Sequence, residues 1–306
     1  MDIEHPFVLA HYHLRTPDIT RLIKQIKFWT FASIKGAMIT GEKRVGKSYA
    51  IDFLMENIDK VAGRQCYSFS VLWKAQIHYN EKKFWTRLLN ATGFDTTLPG
   101  DADRLEMRFY ERIALRVEEA GVPVCYLFVD EAQNITPTEF IQLCHLFNEL
   151  EKRRIRLYTL LVGQYELDDM KTLMREANCG QVIARFMEHT FEMRGISSAR
   201  TLKSLLTQLD KAGFTEDAAP ASVAAGFRLS GIASALWNAK RSLDIDYSRP
   251  RNTPWTMQRF QSVLAVILQH TERRGAQAAP LTEDDYKQII KLIETKQSFS
   301  VEDGEA

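Results

Sequence analysis

Two short runs hold the residue types that polyphosphate chemistry needs, at the spacing it needs. The first is Gly41-Glu42-Lys43-Arg44-Val45-Gly46-Lys47-Ser48, followed by Tyr49, and it reads G-x-x-x-x-G-K-S. Gly41 and Gly46 leave no Cβ to hold a backbone away from an anion. Successive backbone N–H groups then point inward as a nest. A helix starting near Lys47 adds the positive end of its dipole. In that geometry Lys47 reaches the β- and γ-phosphates of ATP, and the Ser48 hydroxyl ligates Mg²⁺. Residues 41–49, with Glu42, Lys43, Arg44, Val45 and Tyr49 among them, are the candidate cofactor-binding loop.

The second run is Asp130-Glu131, at the end of the apolar stretch Val124-Cys125-Tyr126-Leu127-Phe128-Val129. At the carboxyl end of a central strand, Asp130 would hold Mg²⁺ through its water shell. Glu131 would polarise the attacking water. Gly163-Gln164 ends the next strand-like run, where a polar side chain would contact the γ-phosphate or that water. Arg185, in Ile183-Ala184-Arg185-Phe186, would be offered to the nucleotide of a neighbouring subunit, with Arg175 and Arg194 as its nearest competitors. The bland alternatives are a capping acidic pair, a turn residue and a surface ion pair.

Alternating strands and helices must position these groups. Ala37-Met38-Ile39 leads into the loop. Ile51, Leu54, Met55 and Ile58 recur on one face of a helix leading out of it. Tyr67–Val71 alternates as a strand, and Arg156–Val162 is a buried-strand candidate. Leu105, Phe109, Ile113 and Val117 mark a helix that stops at Gly121. Another helix runs from about Thr138 to Arg153, with Pro137 near its start. Asp18 is the expected N-cap of a helix carrying Leu22, Ile23, Ile26 and Trp29. The alternation predicts an α/β fold with a three-layer α/β/α parallel sheet. From about Ser197 only helical stripes remain: Leu202 to Leu209, Val223 to Leu229, Ile232 to Arg241, Phe260 to Ile267 and Tyr286 to Ile293. The expected division is residues 1–195, nucleotide-binding, and 196–306, a small all-helical lid with C-terminal helices.

With 306 residues, 45% hydrophobic and 26% charged, the composition is that of an ordinary globular chain. A net charge of +1 confines any nucleic-acid surface to a local patch. Cys66, Cys125, Cys144 and Cys179 stand at no metal-ligand spacing and read as reduced core residues. His11-x-His13 reads as loop, and residues 298–306 as a frayed acidic end. No leader segment and no membrane-length apolar run is visible, so a cytoplasmic protein with no membrane partner is expected.

Leu127-Phe128-Val129-Asp130-Glu131-Ala132-Gln133 and Leu161-Val162-Gly163-Gln164-Tyr165-Glu166-Leu167 resemble the Walker B and sensor-1 segments of AAA+ ATPases of the TnsC/TniB/MuB transposition-regulator type, and of the related ExeA class. The resemblance spans roughly residues 36–240. It implies a Mg²⁺-dependent ATPase that forms a homo-oligomer, a ring or helical filament, on double-stranded DNA. It further implies partners in a target selector and a transposase, which the oligomer recruits or activates. Carried over, Lys47 and Ser48 match the Walker A pair, Asp130 and Glu131 the Walker B pair, Gln164 sensor 1 and Arg185 the finger. Lys43-Arg44 departs from the small residues common there and would make the phosphate pocket unusually basic. Ser230 to Leu236 has no arginine where many AAA+ proteins carry sensor 2, which leaves Arg228, Lys240 or nothing to serve.

Loops of the resembling ATPases near the second strand line DNA, so Lys74, Lys82 and Lys83 are the candidate phosphate contacts. The alternative is a solvated helix face with its aromatics in the core. A second basic cluster, Lys152-Arg153-Arg154, reads as helix-end cations that complement the dipole. The rival function is a nucleotide-switched adaptor ATPase, of secretion or signalling type, that binds protein partners and no DNA.

Overall fold

The computed structural model describes residues 14–76, 78–94, 100–247, 249, 253–274 and 281–302. The histidines at 5, 11 and 13, Pro99, Pro250 and residues 303–306 lie outside them. The chain groups into two units. One holds residues 20–43 and 47–193. The other holds residues 14–19, 44–46 and the described part of Arg194–Ala306.

The first unit is built on a five-stranded sheet in the order β2-β3-β4-β1-β5. Its strands are β1 (Gly36–Gly41), β2 (Tyr67–Leu72), β3 (Val124–Asp130), β4 (Arg156–Gly163) and β5 (Thr190–Met193). Every neighbouring pair is parallel, with Met38 opposite both Leu161 and Thr190, and Leu72 opposite Asp130. The helices are α1 (Pro17–Phe31), α2 (Lys47–Ala62), α3 (Glu81–Ala91), α4 (Ala102–Glu119), α5 (Pro137–Lys152), α6 (Glu166–Glu176) and the short α7 (Gly180–Val182).

Cys125, Leu127 and Val129 on one face of β3 share a core with Phe84 and Trp85 of α3, Phe109 of α4 and Phe140 of α5. Tyr126 and Tyr158, on the alternate positions, stack at 4.9 Å, and the Tyr126 hydroxyl hydrogen-bonds Thr30 of α1. The sheet is covered on both faces, which is why β3 and β4 read as continuous apolar runs. α5 starts with a capping box: Thr136 Oγ1 accepts from the Glu139 N–H, and the Glu139 carboxylate accepts from the Thr136 N–H.

Two expectations change here. β5 is a strand where none was predicted, and the segment before it, Ile183–Met187, is a π-helical turn. Asp18 does not cap α1. The N–H of Ile19 donates to Thr16 Oγ1, and the Asp18 carboxylate instead accepts the N–H groups of Arg194 and Gly195.

The second unit is helical: α8 (Ala199–Lys211), α9 (Phe214–Ala218), α10 (Pro220–Ala224), α11 (Ala233–Asp246), α12 (Met257–Arg274) and α13 (Glu283–Glu302). The stretch expected as one helix over 223–229 ends at Ala224 instead, because Gly226 takes φ +94°. Leu205, Leu236, Trp255, Phe260, Leu264 and Tyr286 form its centre. An antiparallel bridge joins Ile196 to Trp255. Gly195 beside it has φ +70°, and a Cβ there would stand 2.5 Å from the Trp255 carbonyl oxygen, so no larger residue fits.

Candidate nucleotide site

β1, β3 and β4 end at Gly41, Asp130 and Gly163, on the same edge of one parallel sheet. That edge is where ligands gather in open α/β folds. The chain leaves β1 through a tight turn, with Arg44 at φ 67° and Gly46 at φ 104°. It enters α2 at Lys47. Lys47 is buried, and its Nζ donates to the carbonyl oxygens of Gly41 and Glu42, each at 2.8 Å. The ammonium is thereby aimed into the loop. Burial lowers its pKa below 10.5, against the pull of Glu131, Asp130, Glu166 and Glu42.

Ser48 Oγ donates to Asp130 Oδ2 at 2.6 Å. The two metal candidates, far apart in sequence, are therefore in direct contact. A hydroxyl and a carboxylate form a hard oxygen donor set, which fits Mg²⁺. Asp52, one turn after Ser48 on α2, has its carboxyl pKa raised by burial and then by Asp130 and Glu56. Sequence reasoning had no reason to single it out.

Glu131 adopts φ 54°, ψ 39°, a left-handed conformation uncommon for a residue with a Cβ. Its N–H donates to Asp130 Oδ1 at 2.9 Å, which holds the turn. The residue that sequence reasoning missed is Gln133. Its Nε2 donates to Glu131 Oε2 at 2.6 Å, and its Oε1 accepts the Gln164 N–H at 3.2 Å. One amide thus spans the ends of β3 and β4. The signal was visible only as part of the resembling Asp130–Gln133 string, and spacing alone assigned it no task. Gln164 is half-buried beside it.

Arg185 lies on the π-helical turn. Its guanidinium sits 4.4 Å from the Phe147 ring centroid and donates to the Cys144 carbonyl oxygen at 3.2 Å. In this chain it is held against α5. Arg175 and Arg194 are exposed. Neither cation considered for sensor 2 is idle. Arg228 donates to the carbonyl oxygens of Val223 and Phe227, and Lys240 is buried, bonded to Asp244 and to the Thr253 carbonyl.

Lys74, Lys82 and Lys83 are exposed, while Trp73, Phe84 and Trp85 beside them are buried and packed edge to face. The aromatics belong to the core and are out of reach of a base.

Residues 35–170 match the family described as AAA domain. No curated protein matches the chain. Two solved structures of the Aeropyrum pernix ORC2 protein share its fold. The form with ADPNP and ADP is 16% identical at TM-score 0.59, covering 93% of this chain and 69% of that one. The ADP form is 15% identical at TM-score 0.60, covering 92% and 69%. Pyrobaculum aerophilum Cdc6p is 11% identical at TM-score 0.48, covering 96% and 84%. At these identities the likeness to the two ORC2 structures is one of fold. Among the described residues no helix is long and apolar enough to cross a membrane. Residues 35–170 thus match an AAA domain, the chain has an AAA+ fold, and the helices after residue 195 are its C-terminal helical region.

Proposed function

We propose that this chain is an ATP-dependent AAA+ regulator of DNA transposition, one that oligomerises on duplex DNA with ATP, marks target sites and recruits or activates a transposase. The observation that carries the nucleotide part is the meeting of Lys47, Ser48 and Asp130 at one sheet edge, with Ser48 Oγ 2.6 Å from Asp130 Oδ2. Lys47 and the backbone N–H groups of the loop bind the β- and γ-phosphates. Ser48 and Asp130 would hold Mg²⁺, which when bound neutralises charge developing on the phosphate oxygens. Glu131 takes a proton from the attacking water, and Gln164 orients that water. Arg185 is assigned to a neighbour's nucleotide, and to reach it the side chain must leave Phe147 and the Cys144 carbonyl.

The DNA part is supported by the exposed Lys74, Lys82 and Lys83, which leave three cations free to meet phosphate on one stretch of surface. The transposition part is supported by the sequence resemblance of the Walker B and sensor-1 segments.

The test is ATP hydrolysis with and without duplex DNA, together with electron microscopy in a slowly hydrolysed ATP analogue. DNA should raise the rate, and rings or filaments should form and be lost in Lys47→Ala. Replacing Lys74, Lys82 and Lys83 with alanine should flatten the log–log salt dependence of DNA binding by roughly three. A rate indifferent to DNA at low salt, unchanged in the triple variant, would leave the protein-binding adaptor as the reading.

A further inference from the structure

Glu131 cannot act as a base unless its carboxylate is aimed, and nothing in its own backbone aims it. The residue stands in a left-handed turn at φ 54°, at the exit of β3. The side chain that fixes the carboxylate is Gln133, on the 3₁₀ turn Ala132–Asn134. Gln133 is itself fixed at its other end, because its Oε1 accepts the Gln164 N–H. Space is fixed as well: a Cβ added to Gly163 would stand 2.4 Å from Gln133 Oε1, and 2.7 Å from Leu167 Cδ1. The glycine at the end of β4 therefore leaves room for this amide to lie across the sheet edge. A planar amide, with its donor and its acceptor on one group, satisfies both partners at once.

We propose that Gln133 is the positioning residue of the hydrolytic step: its amide holds the Glu131 carboxylate in register with the end of β4, where Gln164 begins. In this role Gln133 acts through Glu131. The inference rests on the reading of Glu131 as the base of an ATPase. A misplacement of about 1 Å in a reacting group can cost about 100-fold in rate. Loss of the amide should therefore lower kcat by about 10- to 100-fold while leaving ATP affinity within about 2-fold, because Lys47 and the loop N–H groups are untouched.

The decisive variant is Gln133→Met, which keeps the length and fills the space beside Gly163 and Leu167 but offers no hydrogen bond. Gly163→Ala is the second, since its methyl group collides with the Gln133 oxygen from the β4 side. Hydrolysis at saturating ATP, the dissociation constant of a fluorescent ATP analogue and the melting temperature are measured for the full chain and both variants. Glu131→Gln serves as the reference for a missing base.

The expected result is a kcat loss in Gln133→Met and in Gly163→Ala, with analogue affinity retained and Gln133→Met melting with the unaltered chain. If the unaltered chain hydrolyses ATP, Glu131→Gln abolishes it and Gln133→Met keeps full kcat, the positioning role is overturned while the ATPase reading stands. If the unaltered chain hydrolyses nothing, both fall together. If Gln133→Met loses analogue binding in step with kcat, Gln133 shapes the loop rather than the base, and the proposal is overturned.

Discussion

Replacing Lys47 with methionine separates what the lysine does for the fold from what it does for nucleotide. Its ammonium is buried and held by the carbonyl oxygens of Gly41 and Glu42. Burial lowers its pKa, so the charge is carried at a cost. Methionine keeps the length and removes that cost together with the two hydrogen bonds, opposing effects that should leave the nucleotide-free variant folded with a melting temperature near that of the unaltered chain. With ATP at about 100 times its Kd, binding adds ~2.7 kcal/mol to the unaltered chain, or about 5–10 °C of melting temperature for a domain of this size.

If Lys47 binds phosphate as proposed, each charge-assisted hydrogen bond it supplies is worth about 1.5–3 kcal/mol. Losing two of them weakens binding by ~100-fold or more. At the same ATP concentration the stabilisation falls to about 0.4 kcal/mol, or about 1–2 °C. The assay is differential scanning fluorimetry with and without ATP. A second readout follows from the sign of the shift. Below 10.5 and above the folded-state pKa, the unfolded chain binds more protons at this residue than the folded one, so its contribution to stability rises with pH there. That rise should be missing in Lys47→Met. A variant that keeps the full ATP shift would refute the assignment of Lys47 to phosphate.

Other changes probe the supports. Thr136→Val removes the α5 N-cap hydroxyl that accepts from Glu139 and should cost about 1 kcal/mol in urea unfolding. Asp244→Leu leaves the buried Lys240 ammonium without its carboxylate and should destabilise the helical unit by about 3–5 kcal/mol. The double variant Lys240→Met/Asp244→Leu should recover most of that loss in the same melt. Cys66, Cys125 and Cys144 are buried, with the Cys66 thiol pushed up to about 12 and the other two raised by burial. A thiol reagent at pH 8 should therefore label only Cys179 in the native chain, and all four cysteines after denaturation.

The phosphate loop was legible because its chemistry is local: eight consecutive residues carry both the glycines and the charges. β3 and β4 were legible because burial on both faces leaves an uninterrupted apolar run. β5 was not. Its four residues, Thr190-Phe191-Glu192-Met193, pair on one side only with β1, and Glu192 interrupts the apolar pattern. The π-helical turn before it has no period that sequence inspection searches for. Asp18 has the right residue type for a cap and misleads for that reason: Thr16 lies closer to the helix start, and the carboxylate finds two N–H groups some 176 residues away. Gln133 was invisible as a site residue because its meaning depends on β4 ending beside β3. The sequence order of the strands does not give that adjacency. Lys240 looked available as a charged side chain, and only the fold reveals that Asp244 and Thr253 enclose it.

The backbone at Trp73-Lys74 is pinned in three places. The Trp73 N–H donates to the Asp130 carbonyl at 2.8 Å, Asn134 Nδ2 donates to the Trp73 carbonyl at 3.0 Å, and Arg87 donates to the Lys74 carbonyl at 3.1 Å. Asn134 is the immediate chain neighbour of Gln133. A displacement of the backbone at Lys74 would therefore bear directly on the hydrogen bonds to Asp130 and Asn134.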